Sequence, residues 1–301
     1  MKNKLAVILG PTATGKTATA VALANRFGSG IISADSRQFY KELKIGVAAP
    51  SEQQMKAVPH HFIGHLSVTD YYNVSMFEQD VLGFLRTYFE ENRLALMVGG
   101  SGLYIHAVCH GIDDLPDADG TFRQQLKMQY EKKGIDYLRS ELKKLDPGYY
   151  QKVDLNNPNR LLRAIEVCMI TGKTYTELRQ NLPVKRDFDI LKIGLNLPRN
   201  DLFRIISERV DEMMESGLLS EVESLLPYRN QNALNTVGYK ELFDFLDGKL
   251  PLEEAVEKIK TNTRRYAKRQ LTWFRKDPAV RWFHPGDQSG IFNAVHDFRA
   301  D

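Results

Sequence analysis

Cysteine, long apolar runs and a decisive net charge are what this sequence has least of. Its 301 residues include two cysteines, Cys109 and Cys168, in no C-x-x-C pair. That excludes a disulfide scaffold and points to two buried, reduced thiols in a cytosolic compartment. No stretch reaches the roughly 18 apolar residues of a membrane span, and Leu5 to Leu9, behind Met1-Lys-Asn-Lys4, is too short for a signal peptide. A soluble cytoplasmic protein with no membrane partner is the expectation. The balance of 41 Lys+Arg against 38 Asp+Glu leaves only +3, which cannot by itself mark a nucleic-acid partner, so local clusters must decide. Repeat periods and low-complexity tracts are also lacking. What is present is 43% hydrophobic residues over a length suited to one large domain or a core with a second lobe.

Leu5-Ala-Val-Ile-Leu9 reads as a strand that stops at Gly10-Pro11, with helix formers from Lys16 to Asn25. Gly30 to Asp35 reads as a second buried strand ending in an acid, and Leu94 to Val98 as a third ending in Gly99-Gly100. Between them Ser75-Met-Phe-Glu78 forms a capping box, and Phe77, Val81, Phe84, Leu85 and Tyr88 share one face through Glu91. The β-α-β-α-β order implies an α/β fold, a parallel sheet flanked by helices with its ligand site at the carboxyl ends of the strands. After a turn-rich joint at Asp113 to Asp117, residues 113–187 read as a mostly helical insertion domain. The core is then 1–112 with 188–301, and 190–197 returns to the sheet as a strand. Helices are expected from Arg199 to Lys276, including Asp201 to Ser216 and one begun by Pro251. The stretch from Asp277 reads as a loosely packed tail.

Gly10, Pro11, Thr12, Ala13, Thr14, Gly15, Lys16 and Thr17 fit G-x-x-x-x-G-K-[ST] with a strand before and a helix after, as that motif requires. Amides at the helix N-terminus form an anion nest, Lys16 adds a charge, and the Thr17 hydroxyl can hold Mg²⁺ between phosphate oxygens. The fold expected is P-loop NTPase-like, and the bound group a di- or triphosphate. Many such proteins hold their metal with an acid at the end of a later strand, yet the third strand ends in two glycines. Asp35 is the strand-ending acid of the N-terminal half and so reads as metal helper, general base or simple turn aspartate. Ser36, Arg37, Gln38, Phe39 and Tyr40 follow it, offering hydrogen-bonding groups and aromatic faces able to receive a base.

Taken with the loop, Ser33-Ala-Asp-Ser-Arg-Gln-Phe-Tyr40 and Val98-Gly-Gly-Ser-Gly-Leu-Tyr104 resemble the tRNA dimethylallyltransferases, bacterial type. The resemblance continues through Pro158 to Glu166, Thr171-Gly-Lys173, Val237-Gly-Tyr239 and Arg264 to Gln270, nearly the whole chain. It implies transfer of a dimethylallyl group from dimethylallyl diphosphate to the exocyclic amine of adenosine 37, beside the anticodon of tRNAs reading codons that begin with U. By resemblance Asp35 accepts the amine proton, and Thr12, Lys16 and Arg209 hold the diphosphate with Mg²⁺ near Thr17. The tRNA anticodon stem-loop would be met by Asp35, Ser36, Arg37, Gln38, Ser101 and Arg123. Further contacts carry over to Asn159, Arg160, Leu161, Leu162 and Arg163, and to Asn235, Thr236, Val237, Gly238, Tyr239 and Lys240.

Two departures stand out: Ser101 replaces the family's usual threonine, and Ile45-Gly-Val-Ala-Ala-Pro50 lacks the threonine and lysine often seen there. Arg160 and Arg163, three apart on a helix, would share a face suited to phosphates. Lys258, Lys260, Arg264, Arg265, Lys268, Arg269, Arg275 and Lys276 run without an acid among them, with Tyr266, Trp273 and Phe274 interleaved, a basic stripe for RNA backbone. His60, His61 and His65 lack a completing ligand set and read as packing residues, as do His106, Cys109 and His110. The rival readings are an adenylate isopentenyltransferase acting on free AMP, ADP or ATP, a P-loop NTPase or kinase, and a non-catalytic RNA-binding protein. Neither heptads nor an apolar surface helix argues for more than a monomer.

Overall fold

The computed structural model describes residues 2–113, 115–116, 120–180 and 182–301. Asp114 and Asp117 of the expected joint lie outside them. The chain folds as two compact units, Met1–Cys109 with Arg186–Asp301, and His110–Lys185. The joints read from the sequence fall at 112/113 and 187/188.

The first unit starts with β1 (Asn3–Leu9), α1 (Lys16–Phe27), β2 (Ile31–Ser33), α2 (Glu52–Ala57), β3 (His60–His61), α3 (Val74–Glu91), β4 (Leu94–Gly99) and α4 (Gly102–His110). The second unit holds α5 (Gly120–Lys133), α6 (Ile135–Leu145), α7 (Pro147–Tyr150), α8 (Pro158–Thr171) and α9 (Tyr175–Leu178). The first unit then resumes with β5 (Phe188–Leu195), α10 (Arg199–Glu215), α11 (Leu218–Ser224), α12 (Tyr239–Leu246), α13 (Leu252–Phe274), β6 (Val280–Phe283) and α14 (Gln288–Ala300).

The strands form one six-stranded parallel sheet in the order β3-β2-β4-β1-β5-β6. β1 lies in its middle, with Leu5 opposite Ala95 of β4 and Ile190 of β5. Its residues alternate between two cores, as the two-residue strand period demands. Leu5, Val7 and Leu9 face one with Phe77 and Val81 of α3, while Ala6 and Ile8 face the other with Ala20 and Leu23 of α1. Burial on both faces explains why β1 and β4 read as unbroken apolar runs. The second unit has its own core, built on Leu138 and Leu142 of α6 against Leu161, Leu162 and Ile165 of α8. Among the described residues no helix is long and apolar enough to cross a membrane.

Four local expectations are corrected. α3 starts two positions earlier than the capping box implied, because the Asn73 side chain accepts the Met76 N–H at 2.9 Å and leaves Ser75 inside the helix. β2 ends at Ser33, so Asp35 sits past the strand rather than on it. Pro251 caps α13 from outside instead of opening it. The stretch from Asp277 is no loose tail: β6 pairs with β5, and Ile291 and Val295 of α14 are fully buried against the α1 side of the sheet. Ile291, Ala294, Val295 and Phe298 do keep a helical spacing, but small and polar neighbours dilute it.

Replacing Ile291 by alanine should cost about 2–5 kcal/mol through the cavity left beneath α14. Urea unfolding measures it; an unshifted midpoint would mean that α14 contributes nothing to the core.

Candidate active site at the phosphate loop

Backbone conformation places the loop. Gly10 has φ 142°, and a Cβ there would lie 2.3 Å from the Leu195 carbonyl oxygen, so only glycine lets the chain leave β1 this close to β5. Gly15, with φ 77°, precedes α1 without a side-chain cap, which leaves the first amides of the helix for an anion. The buried Thr14 hydroxyl donates to the Pro11 carbonyl at 2.9 Å, and Lys16 Nζ donates to the same oxygen at 2.6 Å. Burial pulls the Lys16 ammonium down to about 8; Asp35 opposes that shift and Arg209 adds to it. Arg209, on α10, reaches the Thr12 hydroxyl with Nη1 at 3.4 Å. Its guanidinium is also lowered by burial, against the pull of Asp35 and Glu212.

A cavity of about 750 Å³ opens beside the loop, lined by Thr12, Asp35, Ser36, Arg37 and Arg209 together with Asn235, Thr236, Val237, Gly238 and Lys240. Residues far apart in the chain thus converge on one chamber. Apolar groups complete its wall: Val47, Ala48, Ile206, Val210 and Met213. Asp35 Oδ1 accepts the Arg37 N–H at 3.1 Å, so the turn-aspartate reading is true of one oxygen while the carboxylate still faces the cavity cations. Ser101 holds the same turn, its hydroxyl accepting the Ser36 N–H at 3.0 Å.

Several expected contact residues are placed otherwise. Phe39 and Tyr40 are buried and cannot stack on an incoming base. Phe39 stacks on Phe77, ring centroids 5.1 Å apart. Gln38 spends its amide on the protein, accepting from Ser33 Oγ at 3.1 Å and donating to the Ala48 carbonyl at 3.1 Å. Tyr239 is buried and donates its hydroxyl to Glu221. In the second unit Leu161 and Leu162 are core residues, so packing replaces a side-chain contact with RNA. Asn159 and Arg160 are exposed at the start of α8. Arg163 is turned inward, donating to Glu166 at 3.1 Å and to the Pro116 carbonyl at 2.8 Å. Arg123 approaches the same Glu166 oxygen at 3.7 Å. The histidines pack: His61 lies against Phe84, and His65 among Phe39, Phe62 and Tyr72.

The basic run on α13 is less uniform than its sequence. Lys258 pairs with Glu254 and Lys260 with Asp211 and Glu257, acids supplied by the preceding turn and by α10. Arg264 donates to Ser207. Phe274 is core, whereas Trp273 is 43% exposed, and Tyr266 and Arg269 line the cavity. Burial, with Asp35 second, raises the Tyr266 phenol above its usual range.

Residues 38–277 match the family model described as IPP transferase. The chain belongs to the IPP transferase family. Among the relatives of this family member, "tRNA dimethylallyltransferase 1" of Bacteroides thetaiotaomicron is 50% identical over 95% of this chain and 93% of its own. "tRNA dimethylallyltransferase" of Christiangramia forsetii is 49% identical over 98% of each. The crystal structure of the tRNA isopentenylpyrophosphate transferase of Bacillus halodurans matches with a TM-score of 0.73 at 36% identity, covering 99% of this chain and 97% of that one. A eukaryotic dimethylallyltransferase described as acting on tRNA matches with a TM-score of 0.77 at 26% identity, covering 98% and 77%.

One IPP transferase feature with no sequence signal is Glu221 on α11. Its carboxylate accepts the N–H groups of Lys44, Ile45 and Gly46 and the Tyr239 hydroxyl at 2.7 to 3.1 Å, which fixes the segment carrying Val47 and Ala48 into the cavity wall. Glu221→Ala should lose about 1–3 kcal/mol, the cost of leaving such donors without an acceptor, and speed protease cleavage near residues 44–49. Limited proteolysis at wild-type rate would show that the carboxylate does not hold this segment.

Proposed function

We propose that this protein transfers the dimethylallyl group of dimethylallyl diphosphate to N6 of adenosine 37 in tRNAs reading codons that begin with U, releasing diphosphate. The observation that carries the reading is the meeting of Asp35, Thr12 and Arg209 in one cavity with Asn235, Thr236, Val237, Gly238 and Lys240, beside a phosphate loop. Asp35 takes a proton from the exocyclic amine as the nitrogen forms its bond to the allylic carbon. The carbon–oxygen bond to the diphosphate breaks, and the electron pair leaves with the phosphate. Loop amides, Lys16 and Arg209 hold the charge that builds there, so catalysis rests on positioning and on prearranged positive groups. The apolar side of the cavity, with Val47, Ile206, Val210 and Met213, suits a five-carbon chain and excludes water from it.

No phosphoryl group moves in this scheme, which accounts for glycines where a metal-binding acid would end β4. Among the described residues no cluster of three or more His, Cys, Asp or Glu could hold a metal. One hydroxyl at Thr17 still fits Mg²⁺, an ion that keeps most of its waters and arrives on phosphate oxygens. When bound it would neutralise part of the diphosphate charge. For RNA we assign Arg160 in the insertion, Arg265, Lys268 and Arg269 on α13, and Arg275 and Lys276 just past its end. A monomer in the cytoplasm completes the proposal.

Offering dimethylallyl diphosphate with unmodified tRNA, with AMP, or ATP alone, and following prenyl incorporation and pyrophosphate release, separates the rival reactions. Transfer to AMP but not tRNA would refute the proposal. Asp35→Asn should lower turnover by roughly 10²–10⁴-fold with tRNA affinity kept; normal turnover would remove the general base. Arg160→Ala should weaken tRNA binding and reduce the salt slope by about 1, with diphosphate affinity unchanged. An unaltered slope would take Arg160 out of the interface.

A further inference from the structure

Gln270 joins the phosphate loop to the end of β4. Its side chain is almost wholly buried on α13, in the middle of the basic run, at 6% exposure. Oε1 accepts the Thr12 N–H at 2.9 Å, and Nε2 donates to the Gly100 carbonyl at 2.9 Å. The two anchors follow adjacent strands, since Leu9 of β1 and Gly99 of β4 are register partners. Gly100 makes the room: a Cβ there would lie 2.2 Å from Gln270 Nε2. The same amide interacts with the Tyr266 hydroxyl one turn back, on the helix face that lines the cavity.

A neutral amide offers one acceptor and a pair of donors in fixed geometry. Glutamate would keep the acceptor for Thr12 but set an anion against the Gly100 carbonyl and near the diphosphate; leucine would leave both backbone groups buried without partners. Because Gln270 occupies the Thr12 N–H, that amide is not offered to a ligand. Thr12 therefore acts through its hydroxyl, the group Arg209 approaches at 3.4 Å.

We propose that Gln270 is a positioning residue for the donor's diphosphate, setting the register in which the Thr12 hydroxyl and Arg209 meet it. This rests on the diphosphate-releasing reaction proposed above. It also ties the diphosphate pocket to the helix that carries Arg269 and Tyr266, so one element shapes both halves of the cavity.

The test compares Gln270→Leu and Gln270→Glu with wild type in three measurements: inorganic pyrophosphate affinity by calorimetry, KM for dimethylallyl diphosphate at saturating tRNA, and tRNA affinity. Circular dichroism confirms folding, and if the leucine variant fails to fold the glutamate variant decides. The expectation is a loss of about tenfold or more in pyrophosphate affinity and a matching rise in donor KM, equivalent to about 1.4 kcal/mol. tRNA affinity should stay within about twofold. The Thr12 amide should also lose protection from hydrogen exchange. Unchanged pyrophosphate affinity in a folded variant, or an equal loss for pyrophosphate and tRNA, would overturn the proposal. A wild type that binds pyrophosphate through Gln270 yet prenylates no tRNA would uphold the positioning role while refuting the assigned reaction.

Discussion

The close passage of backbone against backbone at the carboxyl ends of the central strands is the constraint on which the rest depends. Gly10 passes the Leu195 carbonyl of β5, and Gly99 passes Ala34, where a Cβ would come within 2.2 Å of the carbonyl oxygen. A single methyl at either place would push two neighbouring chain segments apart. With the methyls absent, the loop after β1, the turn after β2 and the turn after β4 open side by side. The Asp35 turn is then drawn in by Ser101, and the phosphate loop by Gln270.

On that frame the electrostatics follow. Arg37 and Arg209 line the cavity with Asp35, Lys16 interacts with the same carboxylate, and the burial that lowers Lys16 and Arg209 also strengthens their attraction for an incoming anion. The cations are arranged before the ligand arrives and held by fixed partners. Arg37 donates to the Asn232 carbonyl at 3.0 Å, and Lys16 to that of Pro11. Little reorganisation is then left for the moment of bond breaking. Carboxylates elsewhere do the opposite work, satisfying donors rather than reacting: Glu221 gathers three consecutive amides, and Glu166 two arginines.

The parts legible in the sequence were those where spacing is itself geometry. A glycine-rich loop between a strand and a helix dictates an anion nest, and apolar runs between turn residues gave β1, β4 and β5. Glu221 carried no signal and Gln270 only its place at the end of a family motif, since each acts on a partner more than a hundred residues away and looks like any polar helix residue. Aromatics after an acid say nothing of which side they face, and the sheet's need for cover took Phe39 and Tyr40 inward. The paired segment Leu161-Leu162 lies in a family motif, but a helix beside Leu138 and Leu142 must turn its leucines toward them. Arg163 was read from the family resemblance and from its one-face spacing with Arg160; the buried acid one turn on could be counted but not placed. Acids before a basic run were likewise visible, and only the fold showed that α10 supplies another to Lys260.

Both outer strands of the sheet are short. β3 spans His60–His61 and β6 spans Val280–Phe283, whereas the central β1 runs from Asn3 to Leu9. An open sheet invites a foreign strand to extend its ladder in proportion to the unpaired backbone it displays. Here the margins display very little, so a chain with a long, largely apolar centre resists edge-to-edge aggregation while its reactive strand ends stay open to substrate.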